Sequence, residues 1–112
     1  MKAGVPMIPG CMTPTEMEAA MSYGLDFVKF FPAEAAGGVS MLKAVGAPYA
    51  GLSFMPTGGI TTENVKDYLQ LKNVICCGGS YIAPEKDMAS GRFDLIRDRA
   101  AESAALVRAI RG

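Results

Sequence analysis

Three observations predict an α/β chain of the form (βα)₄ with parallel strands. Four short apolar runs recur at intervals of roughly 21 to 25 residues, each interval carries helix-start signals, and each run ends in a loop of glycine, proline or small polar residues. The runs are Pro6-Met7-Ile8, Phe27 to Phe31, Leu52 to Met55, and Val74 to Cys77. No motif repeats residue for residue and no linker or low-complexity tract interrupts the chain, so residues 1–112 are expected to form a single domain.

The first helix is announced by Thr13-Pro14-Thr15-Glu16, in which a threonine N-cap, a first-turn proline and a capping-box acid precede Met17, Ala20 and Met21; Gly24 supplies the stop. The second spans Val39 to Val45, after Gly37-Gly38. A third opens at Thr61 or Thr62 and buries Val65, Tyr68 and Leu69 at helical spacing. A short turn or helix around Pro84 to Ala89 leads into the last, about Asp94 to Arg111, with Ile96, Ala100, Ser103, Val107 and Ile110 on one stripe.

Composition narrows the class of partner. The chain has 112 residues, formal net charge zero, 50% hydrophobic and 20% charged residues, which fits a globular domain. It has no basic stripe for nucleic acid and no polybasic or strongly amphipathic segment for a membrane, leaving a small neutral or anionic metabolite as the expected ligand. Met1-Lys2-Ala3-Gly4-Val5-Pro6 has no apolar segment behind its lysine, so a cytoplasmic location is expected. Cys11 and the adjacent Cys76-Cys77 make a disulfide framework improbable. With no histidine, the usual zinc ligand sets are not met, and a metal-independent reaction without a cofactor is expected.

The most informative residue is Lys29, a lone cation inside Phe27-Val28-Lys29-Phe30-Phe31, which runs on into Pro32-Ala33-Glu34. Desolvation disfavours an ammonium ion, and a neutral amine can condense with a carbonyl to form a Schiff base. The alternative is an edge-strand lysine whose stem lies on apolar surface while its head reaches water. Strand alternation puts Phe27, Lys29 and Phe31 on one face and Val28 and Phe30 on the other.

Parallel strands joined by helices carry functional loops at their carboxyl ends. Two of those loops, Thr57-Gly58-Gly59-Ile60 and Gly78-Gly79-Ser80, follow consecutive runs and precede candidate helix starts. Glycines let backbone amides turn towards an anion, so Gly58, Gly59, Gly78, Gly79 and Ser80 are expected to bind a phosphate, against the simpler reading of two tight turns. Glu34 is better suited to a hydrogen-bonding brace than to acid–base work, and Cys76 and Cys77 to packing.

Taken together, several segments resemble the 2-keto-3-deoxy-6-phosphogluconate (KDPG) and 4-hydroxy-2-oxoglutarate (KHG) aldolase family. They are Pro6-Met7-Ile8-Pro9-Gly10 with Thr13 to Glu16, Tyr23-Gly24-Leu25 through Lys29 to Glu34, Gly37-Gly38-Val39, Pro56 to Ile60, Asp67-Tyr68-Leu69, and Gly78-Gly79-Ser80. The resemblance implies a class I aldolase that cleaves the phosphorylated keto acid to pyruvate and glyceraldehyde 3-phosphate through an imine on Lys29, and possible action on 4-hydroxy-2-oxoglutarate as well. It implies that Phe31 packs on the pyruvyl group, that Thr57 lies near substrate hydroxyls, and that Gly58, Gly59, Gly79 and Ser80 cradle the phosphate. It also implies a TIM (βα)₈ barrel, typically about 250 residues long, of which this chain matches the carboxyl-terminal half. The family's acid–base glutamate, and the arginine and threonine that hold the pyruvate carboxylate, match no residue here. A half-barrel exposes two sheet edges and its apolar inner face, so a homo-oligomer or pairing with an amino-terminal half-barrel is expected. Two other readings compete. One is a non-catalytic sugar-phosphate-binding or assembly module; the other is a barrel resembling thiamine phosphate synthase, which leaves Lys29 without a role.

Overall fold

A computed structural model describes residues 3–112; Met1 and Lys2, the start of the segment expected to lack a leader, lie outside the described residues. Strand β1 (Gly10–Cys11) is followed by helix α1 (Pro14–Ser22), β2 (Phe27–Phe30), α2 (Gly38–Gly46), β3 (Ser53–Pro56) and α3 (Val65–Leu69). A 3₁₀ turn (Ser80–Ile82), α4 (Glu85–Ala89) and α5 (Phe93–Arg111) complete the order. The strands form a parallel sheet in the order β1-β2-β3, with Gly10 and Met55 on either side of Lys29 and Cys11 and Pro56 on either side of Phe30.

Alternation along β2 and β3 sets the layers. Val28, Phe30 and Phe54 are fully buried on the helix-covered face, together with Met17 of α1, Leu42 of α2 and Tyr68 of α3. Phe30 and Phe54 meet edge to face with centroids 6.3 Å apart, an arrangement favoured by the ring quadrupoles. The other face carries Phe27, Lys29, Ser53 and Met55, all half-buried, with no helix over it among the described residues.

Two strands differ from expectation, both because of proline. The first run was expected at Pro6-Met7-Ile8, but the strand is Gly10–Cys11; Val5, Met7 and Ile8 are exposed. Pro6 and Pro9 have no N–H to give a ladder, and pairing begins where the Pro9 carbonyl accepts from Lys29 N–H at 2.9 Å and Cys11 O from Phe31 N–H at 3.3 Å. The fourth run is reduced to two bridges, Phe54 to Val74 and Thr57 to Gly78. Between them β3 advances three residues and its partner four, so the partner carries one bulged residue. Pro56 also removes the ladder donor at that point, although its carbonyl accepts from Gly78 N–H at 2.9 Å.

The helices follow their signals closely. At α1, Thr13 Oγ1 accepts from Glu16 N–H at 3.3 Å while Glu16 Oε1 accepts from Thr13 N–H at 3.0 Å, the reciprocal capping box. The same exchange occurs before α3. Thr61 N–H donates to Asn64 Oδ1 at 2.8 Å and Asn64 N–H to Thr61 Oγ1 at 3.3 Å, so the cap sits at Thr61 as expected while regular helix begins at Val65. Helix α5 packs through Leu106 and Ile110 against the core, whereas Ala100 and Val107 of the expected stripe are exposed. Asp87 of α4 pairs with Arg99 of α5 at 2.7 Å, and Arg111 donates to the carbonyls of Leu71 and Val74, holding the long helix across the fourth run. No helix among the described residues is long and apolar enough to cross a membrane.

Candidate functional site

The carboxyl ends of β2 and β3 bring the chemistry together. Lys29 is half-buried on the open face, and its Nζ lies 4.7 Å from the centroid of the Phe31 ring, within cation–π range. Phe31 is 48% exposed, and its ring edge would stand 3.3 Å from a β-carbon at Gly58. Lysine, aromatic ring and first glycine turn are therefore neighbours, as strand alternation and the strand-end loops predict.

The turn after β3 is tied back to the segment after β2. Ala33 N–H donates to Thr57 O at 2.8 Å and Glu34 N–H to Gly58 O at 3.1 Å. Gly58 and Gly59 have φ of +102° and +76°, a region that side-chain-bearing residues rarely adopt. At Gly58 a β-carbon would also come within 3.0 Å of Pro32 Cα. Close packing and backbone conformation both demand glycine there.

Thr57 lies at the head of β3, beside Gly78 in the parallel bridge. Its Oγ1 is buried with no hydrogen-bond partner, and a β-carbon at Gly78 would come within 2.9 Å of it. A buried hydroxyl left unpaired costs free energy, so Thr57 carries an unmet polar group at this strand end. The bridge also makes the two glycine loops neighbours.

Within those loops the amides divide by use. Gly78 N–H is spent on Pro56 O, so Gly78 serves the approach to Thr57. Among the described residues nothing accepts from the amides of Gly58, Gly59, Gly79 or Ser80. The expected helix starts are short: α3 begins five residues beyond Ile60, and a 3₁₀ turn follows Gly79. Any anion would thus be met by loop amides, with little contribution from a helix dipole.

Sequence reasoning named Glu34 as a brace and Tyr68 as buried, but missed Asn64 and the contacts that join the three behind this turn. Glu34 Oε1 accepts from Asn64 Nδ2 at 3.2 Å, and the same Nδ2 donates to Gly59 O at 2.9 Å. The hydroxyl of fully buried Tyr68 donates to Glu34 Oε2. Burial, the Glu34 bond and the Glu34 charge together push the Tyr68 phenol well above its ordinary range, keeping it a donor. Both Glu34 oxygens are engaged, as suits a brace. The available signal was the buried tyrosine itself, whose hydroxyl requires a partner.

The cysteines take no part. Burial pushes the Cys77 thiol up to about 11, with Cys76 adding to the rise and Arg111 opposing it, and burial likewise raises Cys11 and Cys76. No group of three or more histidine, cysteine, aspartate or glutamate side chains among the described residues is arranged to hold a metal ion.

A parallel βα sheet with Lys29 and the glycine turns towards the carboxyl ends of its strands defines the class of scaffold. The chain belongs to the KDPG and KHG aldolase family, whose model matches residues 1–98. It is 48% identical over 101 residues to a 2-dehydro-3-deoxy-phosphogluconate aldolase of Dickeya dadantii, covering 90% of this chain and 47% of the relative. It is 46% identical over 99 residues to the KHG/KDPG aldolase of Escherichia coli K12, covering 88% and 46%. The chain thus spans about half the length of the curated relatives it matches. Among solved structures it is similar to a KDPG aldolase of Legionella pneumophila with pyruvate captured as a covalent carbinolamine intermediate. That match has a TM-score of 0.85 and 42% identity, covering 88% of this chain and 48% of the other.

Proposed function

We propose that this chain supplies the imine-forming and phosphate-binding part of a class I aldolase acting on 2-keto-3-deoxy-6-phosphogluconate, with 4-hydroxy-2-oxoglutarate as a second substrate. The observation that carries the reading is Lys29 on the open sheet face, against Phe31, which in turn abuts the Gly58 turn. A carbonyl carbon bound at Lys29 can therefore lie over an aromatic ring while the far end of its chain reaches the amides of Gly58, Gly59, Gly79 and Ser80.

In this reading Lys29 Nζ adds to the C2 carbonyl and water leaves, giving a protonated imine. Removal of the C4 hydroxyl proton then breaks the C3–C4 bond; its electron pair passes into the imine to form an enamine, and the phosphorylated aldehyde departs. Protonation of C3 and hydrolysis release pyruvate and restore the amine. Thr57 Oγ1, unpaired at the head of β3, receives a substrate hydroxyl. Both oxygens of Glu34 accept hydrogen bonds that suit a brace; the proton acceptor is assigned to the part of the barrel this chain does not match, and a missing general acid–base group costs about 10²–10⁴ in rate.

Phe31 is 48% exposed on the open face, beside half-buried Phe27 and Met55. We place a complementary half-barrel over this apolar surface, either a second copy or an amino-terminal half, bringing the acid–base group with it. Light scattering of the chain alone and mixed with an amino-terminal half of a family member separates the two. A compact monomer in both samples would remove the proposal. The three free cysteines suit a reducing, cytoplasmic setting.

The primary test is borohydride trapping with pyruvate, mapped by peptide mass. An adduct on Lys29 that vanishes in Lys29→Ala is expected. No adduct in a folded sample would overturn the imine reading and leave a sugar-phosphate-binding module as the better account.

A further inference from the structure

We propose that Glu34 is a positioning residue that sets the anion-binding amides of the Gly58–Gly59 turn, acting with Asn64 and Tyr68. The inference rests on the reading that this turn binds phosphate, and it does not depend on imine formation at Lys29.

Glu34 lies five residues beyond Lys29, yet the groups held by its amide and its carboxylate belong to the next βα unit. Its backbone amide fixes the Gly58 carbonyl, and its Oε1 shares the Asn64 amide group with the Gly59 carbonyl. The two carbonyls that Glu34 and Asn64 capture are those of the turn itself. A peptide plane is rigid, so pinning the Gly58 carbonyl also sets the direction of the Gly59 N–H across the same bond. Pinning the Gly59 carbonyl does the same for the next amide.

The side chain also acts by occupying space. A β-carbon at Gly59 would stand 2.7 Å from Glu34 Cγ and 2.8 Å from Glu34 Cβ, so the turn lies directly on the Glu34 stem. At Gly38, the first residue of α2, a β-carbon would meet Glu34 Oε2 at 2.9 Å and the Tyr68 hydroxyl at 3.2 Å. Two glycines at positive φ, +59° and +76°, leave the channel through which Glu34 reaches Tyr68. The carboxylate is fixed at one end by a fully buried phenol and at the other presses on the turn.

The prediction separates geometry from charge. In Glu34→Gln the carboxamide keeps the shape. Its oxygen accepts from Asn64, and its NH₂ donates to the Tyr68 oxygen once that hydroxyl turns round. Glu34→Ala removes the stem and both side-chain bonds and leaves only the backbone bond from its own N–H to Gly58 O.

The experiment titrates the chain with inorganic phosphate, following the backbone amide resonances of Gly58, Gly59 and Gly79, alongside borohydride trapping of pyruvate on the same samples. Expected is a loss of phosphate affinity of about tenfold or more in Glu34→Ala, as displaced binding groups cause. Affinity should lie within about threefold of wild type in Glu34→Gln, and pyruvate trapping should be unchanged within about twofold in both, since Lys29 is held by its own strand. If Glu34→Ala does not fold, Asn64→Ala, which removes the bonds to Glu34 and Gly59, decides in its place. Phosphate affinity equal to wild type in the variant, or parallel loss of trapping and binding, would overturn the inference. So would absence of phosphate binding in wild type, even where pyruvate is trapped. Phosphate binding that depends on Glu34 in a chain that traps no pyruvate would uphold it and remove the imine reading alone.

Discussion

The two faces of β2 behave as different materials. Val28 and Phe30 are fully buried against helices; one residue away on either side, Phe27 and Lys29 are half-buried and Phe31 is 48% exposed. The closed face carries the packing that holds the sheet to its helices. The open face carries the half-buried Lys29 amine and has no helix over it among the described residues. A period of two lets five consecutive residues serve both purposes, because adjacent side chains never compete for the same side.

The comparison can be broken most severely by truncating the closed face. Phe30→Ala should cost about 3–5 kcal/mol of unfolding free energy, the usual price of an aromatic core deletion. Phe31→Ala, its neighbour on the open face, should change stability by less than about 0.5 kcal/mol while altering pyruvate trapping. Urea denaturation of the two variants in parallel checks both, and equal losses would show that the open face is also a structural core.

The thiols sharpen the contrast at the next scale. Cys77, held up to about 11 by burial, should resist iodoacetamide at pH 8 and become reactive as pH approaches that value, read by mass spectrometry. Rapid labelling of native protein at pH 8 would show that the fourth run is open. A smaller effect belongs to the cap of α1: Thr13→Ala should lose about 1 kcal/mol, measured by the same denaturation. Glu16, partner in that capping box, has its carboxyl held below the usual range chiefly by the Met12 N–H, then by Thr13. A depressed carboxylate contributes stability above its unfolded value and loses it as pH falls through the folded one. Stability of wild type should therefore fall on acidification below the ordinary glutamate range, and Glu16→Gln should flatten part of that slope.

The alternation of strands and helices was legible because period-two burial and capping residues are local. Thr13-Pro14-Thr15-Glu16 specifies its own helix start, and Phe27 to Phe31 specifies its own faces. What the sequence concealed was non-local. Pro6 looked compatible with a strand until the ladder had to be drawn, and the bulge in the fourth run exists only relative to β3. At the site, Lys29, Phe31, Thr57 and the glycine turns were visible as strand-end chemistry. The Glu34–Asn64–Tyr68 cluster was not, because it joins residues 30 and 34 positions apart whose pairing no spacing rule predicts.

The bulge opposite Pro56 has a consequence for motion. Ile75 N–H and Gly78 N–H donate to β3, but among the described residues no acceptor stands opposite the amides of Cys76 and Cys77. Local opening is set by how many such bonds must break together, so in deuterium exchange these two amides should exchange before their neighbours and well before those of β2. The segment leading to Gly79 and Ser80 is thus tied to β3 less continuously than the Gly58–Gly59 turn is tied to Ala33, Glu34 and Asn64, so the two glycine loops differ in how readily each can shift.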